Sequence, residues 1–260
     1  MESLYVIKIG GNIIDNPVLL TKCLTAFSKL KGQAILVHGG GKLATEMAAS
    51  MGIEQTMVEG RRITDAETLK IVTMVYAGYI NKNIVAQLQG LGVNAIGLTG
   101  ADGNLVSAHK RTGTTIDYEF VGDVDGINAT FITQLLGDSK KIVVAPITHD
   151  GKGQLLNSNA DTIAQSIATG MTKQYEVHLI YGFEREGVLS DVNDPSSVIS
   201  FIDRPVYGTL KDQKVIFEGM IPKIDNAYLA LEGGVQSVII GKAEKLNELI
   251  NGTAGTTIKI

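Results

Sequence analysis

The chain has 260 residues, enough for one large or two modest domains around a sizeable core. Its 44% hydrophobic and 19% charged residues are ordinary for a globular protein, and a net charge of −4 lacks the basic excess of a nucleic-acid binder. A single cysteine excludes an intrachain disulfide and suits a reducing, cytoplasmic setting, and no apolar run approaches the ~20 residues that would span a membrane.

Strand and helix patterns alternate along the chain. The apolar run that begins at Leu4 is too short for a signal peptide and reads as a strand, Tyr5-Val6-Ile7-Lys8-Ile9, followed by the turn Gly10-Gly11-Asn12. Such a strand is expected to be buried on both faces, so Lys8 needs either an anion or a route to solvent. Asn16-Pro17 caps a helix and Gly32 ends it. Cys23 shares a stripe with Leu20, Phe27 and Leu30 and reads as core. Residues 33–37 form a strand. His38-Gly39-Gly40-Gly41 then opens a helix over 42–51, where free amides and the positive dipole end favour a phosphate or carboxylate over a merely structural turn. His38 can serve as an acid or base, or simply orient that turn. Gly60-Arg61-Arg62-Ile63-Thr64-Asp65 leads into a capping box at Thr64 and a long helix reaching about Gln89. A guanidinium there can take a carboxylate through two parallel bonds, although Arg61 reads better as solvated.

Further on, the pattern predicts a strand over 93–98, a hairpin-like stretch over 104–121, a helix over 128–136 and a strand over 141–145. Leu156-Asn157-Ser158-Asn159-Ala160-Asp161 enters a helix that ends at Gly170. Asn159 is a good cap and Asp161 suits the first turn, but capping does not explain Asn157. A strand over 176–181, a helix opened by Pro222 and ended by Gly233-Gly234, a strand over 235–240 and a last helix and strand complete the chain. Lys223 sits at a helix start, where its charge opposes the dipole unless an anion is bound. The alternation predicts a largely parallel sheet covered on both faces, with a domain seam near 170–174.

Lys-x-Gly-Gly, His-Gly-Gly-Gly, Gly-x-Arg-x-Thr-Asp, Asn-x-Asn-Ala-Asp and Gly-Met-x-Pro-Lys follow one another in this order. The series resembles the amino acid kinase family, and Gly-x-Arg-x-Thr-Asp is most like its acylglutamate branch. Gly97-Leu98-Thr99-Gly100-Ala101-Asp102-Gly103 and Gly255-Thr256-Thr257-Ile258 extend the resemblance over almost the whole chain. It implies an open αβα sandwich with a mainly parallel central sheet. Residues 1–172 would form an acceptor-binding and dimerising lobe, and residues 173–260 an ATP-binding lobe. It implies transfer of the γ-phosphoryl of ATP to the side-chain carboxylate of N-acetyl-glutamate, a step in arginine synthesis. Lys8 and Lys223 would sit on the transferring group, oriented by Asp161, with Gly10, Gly11 and Gly40 supplying amides. Arg62, Asn157 and Asn159 would hold the acceptor beside Gly40 and Gly41, Arg62 on its α-carboxylate. Mg²⁺ would ride mainly on the nucleotide phosphates, with no protein carboxylate cage.

The chain departs from the family at Tyr181-Gly182-Phe183-Glu184-Arg185-Glu186-Gly187, where Asp-Val-x-Gly is usual, so no adenine contact is carried over. Residues 41–57 and 121–128 are candidates for the acyl pocket, and N-succinyl-glutamate stays open as an acceptor. A non-catalytic sensor and another carboxylate kinase, such as aspartokinase, are the rival readings. Retention of both lysines and Asp161 argues against the sensor, and with no regulatory domain expected after Ile260 aspartokinase is the weaker alternative. The helix after the capping box is apolar on more than one face, which predicts a homodimer. A first strand that starts by Leu4 lacks the helix through which arginine-inhibited relatives form hexamers, so no arginine feedback is expected.

Overall fold

The computed structural model describes residues 1–58, 61–216 and 219–260, and of Arg61 the backbone alone. The first half runs β1 (Ser3–Ile9), α1 (Gly11–Ile14), α2 (Pro17–Ser28), β2 (Gln33–His38), α3 (Gly41–Ser50), β3 (Met57–Val58), β4 (Arg61–Arg62), α4 (Ala66–Val72), a π-helical segment (Thr73–Ile80), α5 (Asn81–Gly90), β5 (Ala95–Leu98), β6 (Val106–Lys110), β7 (Val121–Ile127) and α6 (Ala129–Gly137). The second half runs β8 (Lys141–Val144), β9 (Ile147–His149), β10 (Leu155–Ser158), α7 (Ala160–Gly170), β11 (Glu176–Phe183), β12 (Phe201–Ile202), α8 (Arg204–Asp212), α9 (Met220–Glu232), β13 (Ser237–Lys242), α10 (Leu246–Ile250) and β14 (Thr256–Ile258).

Eight strands form one sheet in the order β12-β14-β13-β11-β1-β2-β8-β5. Every neighbouring pair is parallel except β13–β14. This is the α/β sandwich that the alternation predicts. Its centre is β1, paired on one side with β2 and on the other with β11. Alternation along β1 sends Leu4 and Val6 into one core and Ile7 and Ile9 into the other. α7 buries Ile163, Ala164, Ile167 and Ala168 in the first core, and α9 buries Ile224, Ala227 and Tyr228 beside them. On the opposite face α2 buries Leu20, Cys23, Leu24 and Phe27, and α5 buries Ile84 and Leu88. Each fully buried Ile, Leu or Phe is worth about 2 kcal/mol, so both faces are strongly fixed and the register of β1 cannot slip.

Several local expectations shift. Asp65, not Thr64, caps α4, its side chain accepting from the Thr68 amide, because the Thr64 hydroxyl bonds the Arg62 carbonyl and the Asn157 amide. The long helix is present, but over Thr73–Ile80 it opens into a π-helix. The strand expected over 93–98 starts at Ala95. α9 begins at Met220, two residues before Pro222, which fits inside the first turn because its missing N–H has no helical acceptor there. β10 and α8 are not among the expected elements. Nor is the small closed barrel β10-β7-β6-β9, of which the hairpin-like stretch expected over 104–121 covers β6 but stops where β7 begins.

His38, at the end of β2, is fully buried. Its Nδ1 lies 2.8 Å from the Gly39 carbonyl, and its Nε2 lies 3.3 Å from Nδ2 of Asn81, which also donates to the Val143 carbonyl. A neutral ring protonated on Nδ1 satisfies this whole network. Burial accordingly pushes the imidazole down to about 4. This makes His38 a fixed core group and not an acid or base at neutral pH. The unfolded chain binds this proton near pH 6.5 and the folded chain only near 4, so the stabilisation is complete above 6.5 and is lost as pH falls toward 4. The shift corresponds to about 3 kcal/mol. Denaturant unfolding should therefore show stability falling across this window, with a shallower slope in His38→Gln. An unchanged slope in the variant would contradict the neutral, buried ring.

Candidate active site

Parallel sheets present ligands at the carboxyl ends of their strands. Three segments meet there: Gly10-Gly11 after β1, Gly39-Gly40-Gly41 after β2, and Glu184 to Gly187 after β11. The two glycine turns lie side by side, tied by the Gly39 amide donating to the Ile9 carbonyl at 3.1 Å. Gly40 has φ +147°, and a β-carbon on it would lie 2.3 Å from Ile80 Cδ1 and 3.2 Å from the Tyr76 ring. The π-helical segment is thus pressed against the turn, and only glycine fits between them. A β-carbon on Gly10 would meet nothing within 4 Å, so the space beside the first turn is open.

Strand parity puts Lys8 on the face covered by α7 and α9. Asp161 stands in the first turn of α7 and Lys223 in the first turn of α9. Lys223 Nζ donates to Asp161 Oδ2 at 3.0 Å. Lys8 Nζ lies 2.8 Å from Oδ1, an ion pair whose approach is off the hydrogen-bonding direction. All three side chains are largely buried, 12–16% exposed. Burial alone would raise the Asp161 carboxyl, but the charges of Lys8 and Lys223 outweigh it and hold the group at about 2. Burial and the Lys8 charge push the Lys223 ammonium below its usual range, while Asp161 and, more weakly, the Glu184 carboxylate oppose them. The cluster carries two positive charges and one negative, a net +1 in a poorly solvated place. That is the electrostatic signature of an anion site.

Two clefts lie near the triad: Ala160, next to Asp161, borders the first, and Lys223 borders the second. The first, of about 220 Å³, is bordered by Gly39 to Gly41, Arg62, Tyr76, Arg111 and Asn157 to Ala160. Arg62 is buried; its Nη2 donates to the Gly41 carbonyl and to Thr45 Oγ1, both at 2.9 Å, and its Nη1 contacts Gln55 Oε1. Gly60 lies outside the described residues, as does the side chain of Arg61. Asn157 is held through Nδ2 on Thr64 Oγ1 at 3.0 Å, and Asn159 caps α7 by accepting from the amides of Asp161 and Thr162. The second cleft, of about 400 Å³, is mostly apolar, with Phe183, Val188, Val215, Ile216 and Met220 around it and Asn12, Glu184, Arg185 and Lys223 at its polar edge. Among the described residues, no three His, Cys, Asp or Glu converge as metal ligands. Asp161, already shared by two ammonium groups, is poorly suited to a cation.

Arg111 and Tyr76 escaped the sequence reading. Arg111 ends the β6 arm of the barrel, stacks 5.5 Å from the Tyr118 ring and grips Asp123 through Nε, 3.1 Å from each carboxylate oxygen. Tyr76 is on the π-helical segment, whose turn cannot be read from an apolar run.

The sequence pattern of the amino acid kinase family matches residues 3–242. The chain belongs to the amino acid kinase family. It is 56% identical to a Cytophaga hutchinsonii protein named acetylglutamate kinase, over 99% of both chains. It is 37% identical to a protein of that name from Methanopyrus kandleri, over 94% of this chain and 96% of the relative. The family fold is evident in solved structures too. N-acetylglutamate synthase from Neisseria gonorrhoeae, complexed with coenzyme A and N-acetyl-glutamate, superposes with a TM-score of 0.82 at 20% identity; the likeness covers all of this chain and 59% of that one. Carbamate kinase from Giardia lamblia bound to AMP-PNP gives 0.71 at 12% identity, over 99% of this chain and 98% of the other. No helix among the described residues is long and apolar enough to cross a membrane.

Proposed function

We propose that this chain is an acetylglutamate kinase that moves the γ-phosphoryl of ATP to the side-chain carboxylate of N-acetyl-L-glutamate, forming an acyl phosphate for arginine biosynthesis. The observation that carries the reading is Asp161 bridging Lys8 and Lys223, with Lys223 bordering one cleft and Ala160, next to Asp161, bordering the other. The acceptor lies on the polar side, mainly among residues 1–172, and ATP on the apolar side, mainly among residues 173–260. An oxygen of the side-chain carboxylate attacks the γ-phosphorus, the bond to the ADP oxygen breaks, and ADP leaves with that electron pair. The carboxylate is ionised at neutral pH, so no base has to remove a proton. Lys8 and Lys223 neutralise charge on the transferring group, and Asp161 keeps both ammonium groups aimed. Gly10, Gly11, Gly40 and Gly41 let backbone come close to the phosphoryl and the acceptor. Magnesium would be held mainly by the nucleotide phosphates and would offset their charge, since Asp161 is already engaged by two ammonium groups.

Arg62 donates to Gln55, Gly41 and Thr45, which fixes the guanidinium at the border of the first cleft, where its charge faces the α-carboxylate of the acceptor. Asn157 and Asn159 border the same cleft and offer amides to the acceptor. Arg111 is neutralised by Asp123, which favours the uncharged acetyl over an N-succinyl group. The intact triad disfavours a non-catalytic sensor. The single cysteine, free and buried, suits the cytoplasm. Met74 and Tyr79 are 54% and 65% exposed on the π-helical segment, and they support a homodimer formed across this helix.

A hydroxylamine trap for acyl phosphate, run across N-acetyl-glutamate, N-succinyl-glutamate, glutamate and aspartate, should respond best to N-acetyl-glutamate; a stronger signal with any other would replace it as acceptor. Lys8→Ala and Lys223→Ala should each lower kcat by ~100-fold or more. Arg62→Lys should raise KM for the acceptor far more than KM for ATP, because it keeps the charge and loses the fork. A rise in KM with kcat intact in the lysine variants would reduce them to ground-state binding. Light scattering should report twice the 27.7 kDa chain mass, and a monomer would leave the exposed Met74 and Tyr79 without the proposed partner.

A further inference from the structure

We propose that Tyr181 is a positioning residue for phosphoryl transfer, its ring fixing the Lys223 ammonium. The inference rests on the reading that Lys223 meets the γ-phosphoryl group. Tyr181 lies on β11 in register with Lys8 on β1, so both occupy the same level of the sheet. It is 1% exposed and heads the largest fully buried side chains. Lys223 Nζ stands 5.0 Å from the centroid of its ring. Its hydroxyl donates to the Asp161 carbonyl at 3.3 Å. Burial and the nearby Asp161 charge push the phenol well above its usual range, so the hydroxyl stays a donor.

The arrangement addresses a specific difficulty. Lys223 is repelled by Lys8, opposed by the helix start beneath it and largely stripped of water. Asp161 accepts only one of its three N–H donors. An aromatic face offers negative potential to the desolvated cation where an aliphatic side chain offers none. With Asp161 and the ring defining two directions, the remaining N–H is left to point toward the second cleft, which Lys223 borders.

The test is calorimetric binding of ATP and of ADP to wild type, Tyr181→Phe and Tyr181→Leu, with no acceptor present. If the ring aims Lys223 at the γ-phosphate, Tyr181→Leu should lose about tenfold in ATP affinity while ADP changes less than about twofold. Tyr181→Phe, which keeps the ring, should retain the ATP-over-ADP preference. In turnover, Tyr181→Leu should lower kcat with the acceptor KM nearly unchanged, and Tyr181→Phe should rescue it. Equal loss for ATP and ADP, or no loss, would make Tyr181 a packing residue only, and equal losses in both variants would move the effect from the ring to the hydroxyl; each result overturns the proposal. Thermal unfolding checks the variants, and Tyr181→Met replaces Tyr181→Leu if the latter does not fold. Nucleotide binding needs no acceptor, so a wild type that failed to phosphorylate N-acetyl-glutamate would sink the acceptor assignment while the ATP-to-ADP ratio still judged Tyr181.

Discussion

One buried carboxylate held between two buried ammonium groups organises this molecule. A lone Lys8 in the middle of an eight-stranded sheet would cost several kcal/mol, and so would Lys223 packed at a helix start. Asp161 resolves both with one group, at 2.8 and 3.0 Å. It cannot resolve them fully, since two positive charges face one negative. The residual charge is held in a poorly solvated site, where an incoming phosphoryl anion is attracted strongly and the donors need little rearrangement. The arrangement is therefore a poor device for stability and, on the proposed function, a good one for stabilising charge that develops during transfer.

The position of the cluster follows from the fold. β1 is central, its alternate residues belong to different cores, and Lys8 falls on the side of Leu4 and Val6. α7 and α9 cover that side, and each contributes a residue from its first turn. The same strand ends bring the two glycine turns together, and the π-helical segment locks Gly40 in place through Ile80 and Tyr76. The polar and apolar clefts then open near the triad. On the proposed function, a phosphoryl donor and a carboxylate acceptor would meet beside it with no covalent group supplied by the protein.

Much of this was legible in the sequence, because the relevant signals are local. A lysine inside an apolar strand, glycines at strand ends, Asn16 before Pro17, and Asn159 two residues before Asp161 each show their meaning within a few positions. What the sequence hid depends on partners far along the chain. Tyr181 gains its significance from Lys223 and from a register with Lys8, and Arg111 gains its own from Asp123 across a hairpin. The small barrel is made of strands of three to seven residues, too short for a clear period. The π-helical turn has the same apolar composition as an α-helix. Thr64 looked like the cap because it precedes Asp65, yet its hydroxyl is engaged by Asn157 from β10, a contact no local rule reveals.

The most direct test of the central claim is turnover of Asp161→Asn at saturating ATP and acceptor, on protein shown by circular dichroism to be folded. The substitution keeps the size of the side chain and removes the charge that aims both lysines. The account predicts that kcat falls ~100-fold or more, since both donors lose their alignment on the transferring group. Near-normal turnover in a folded variant would contradict it and reduce Asp161 to a residue that merely suits the start of α7.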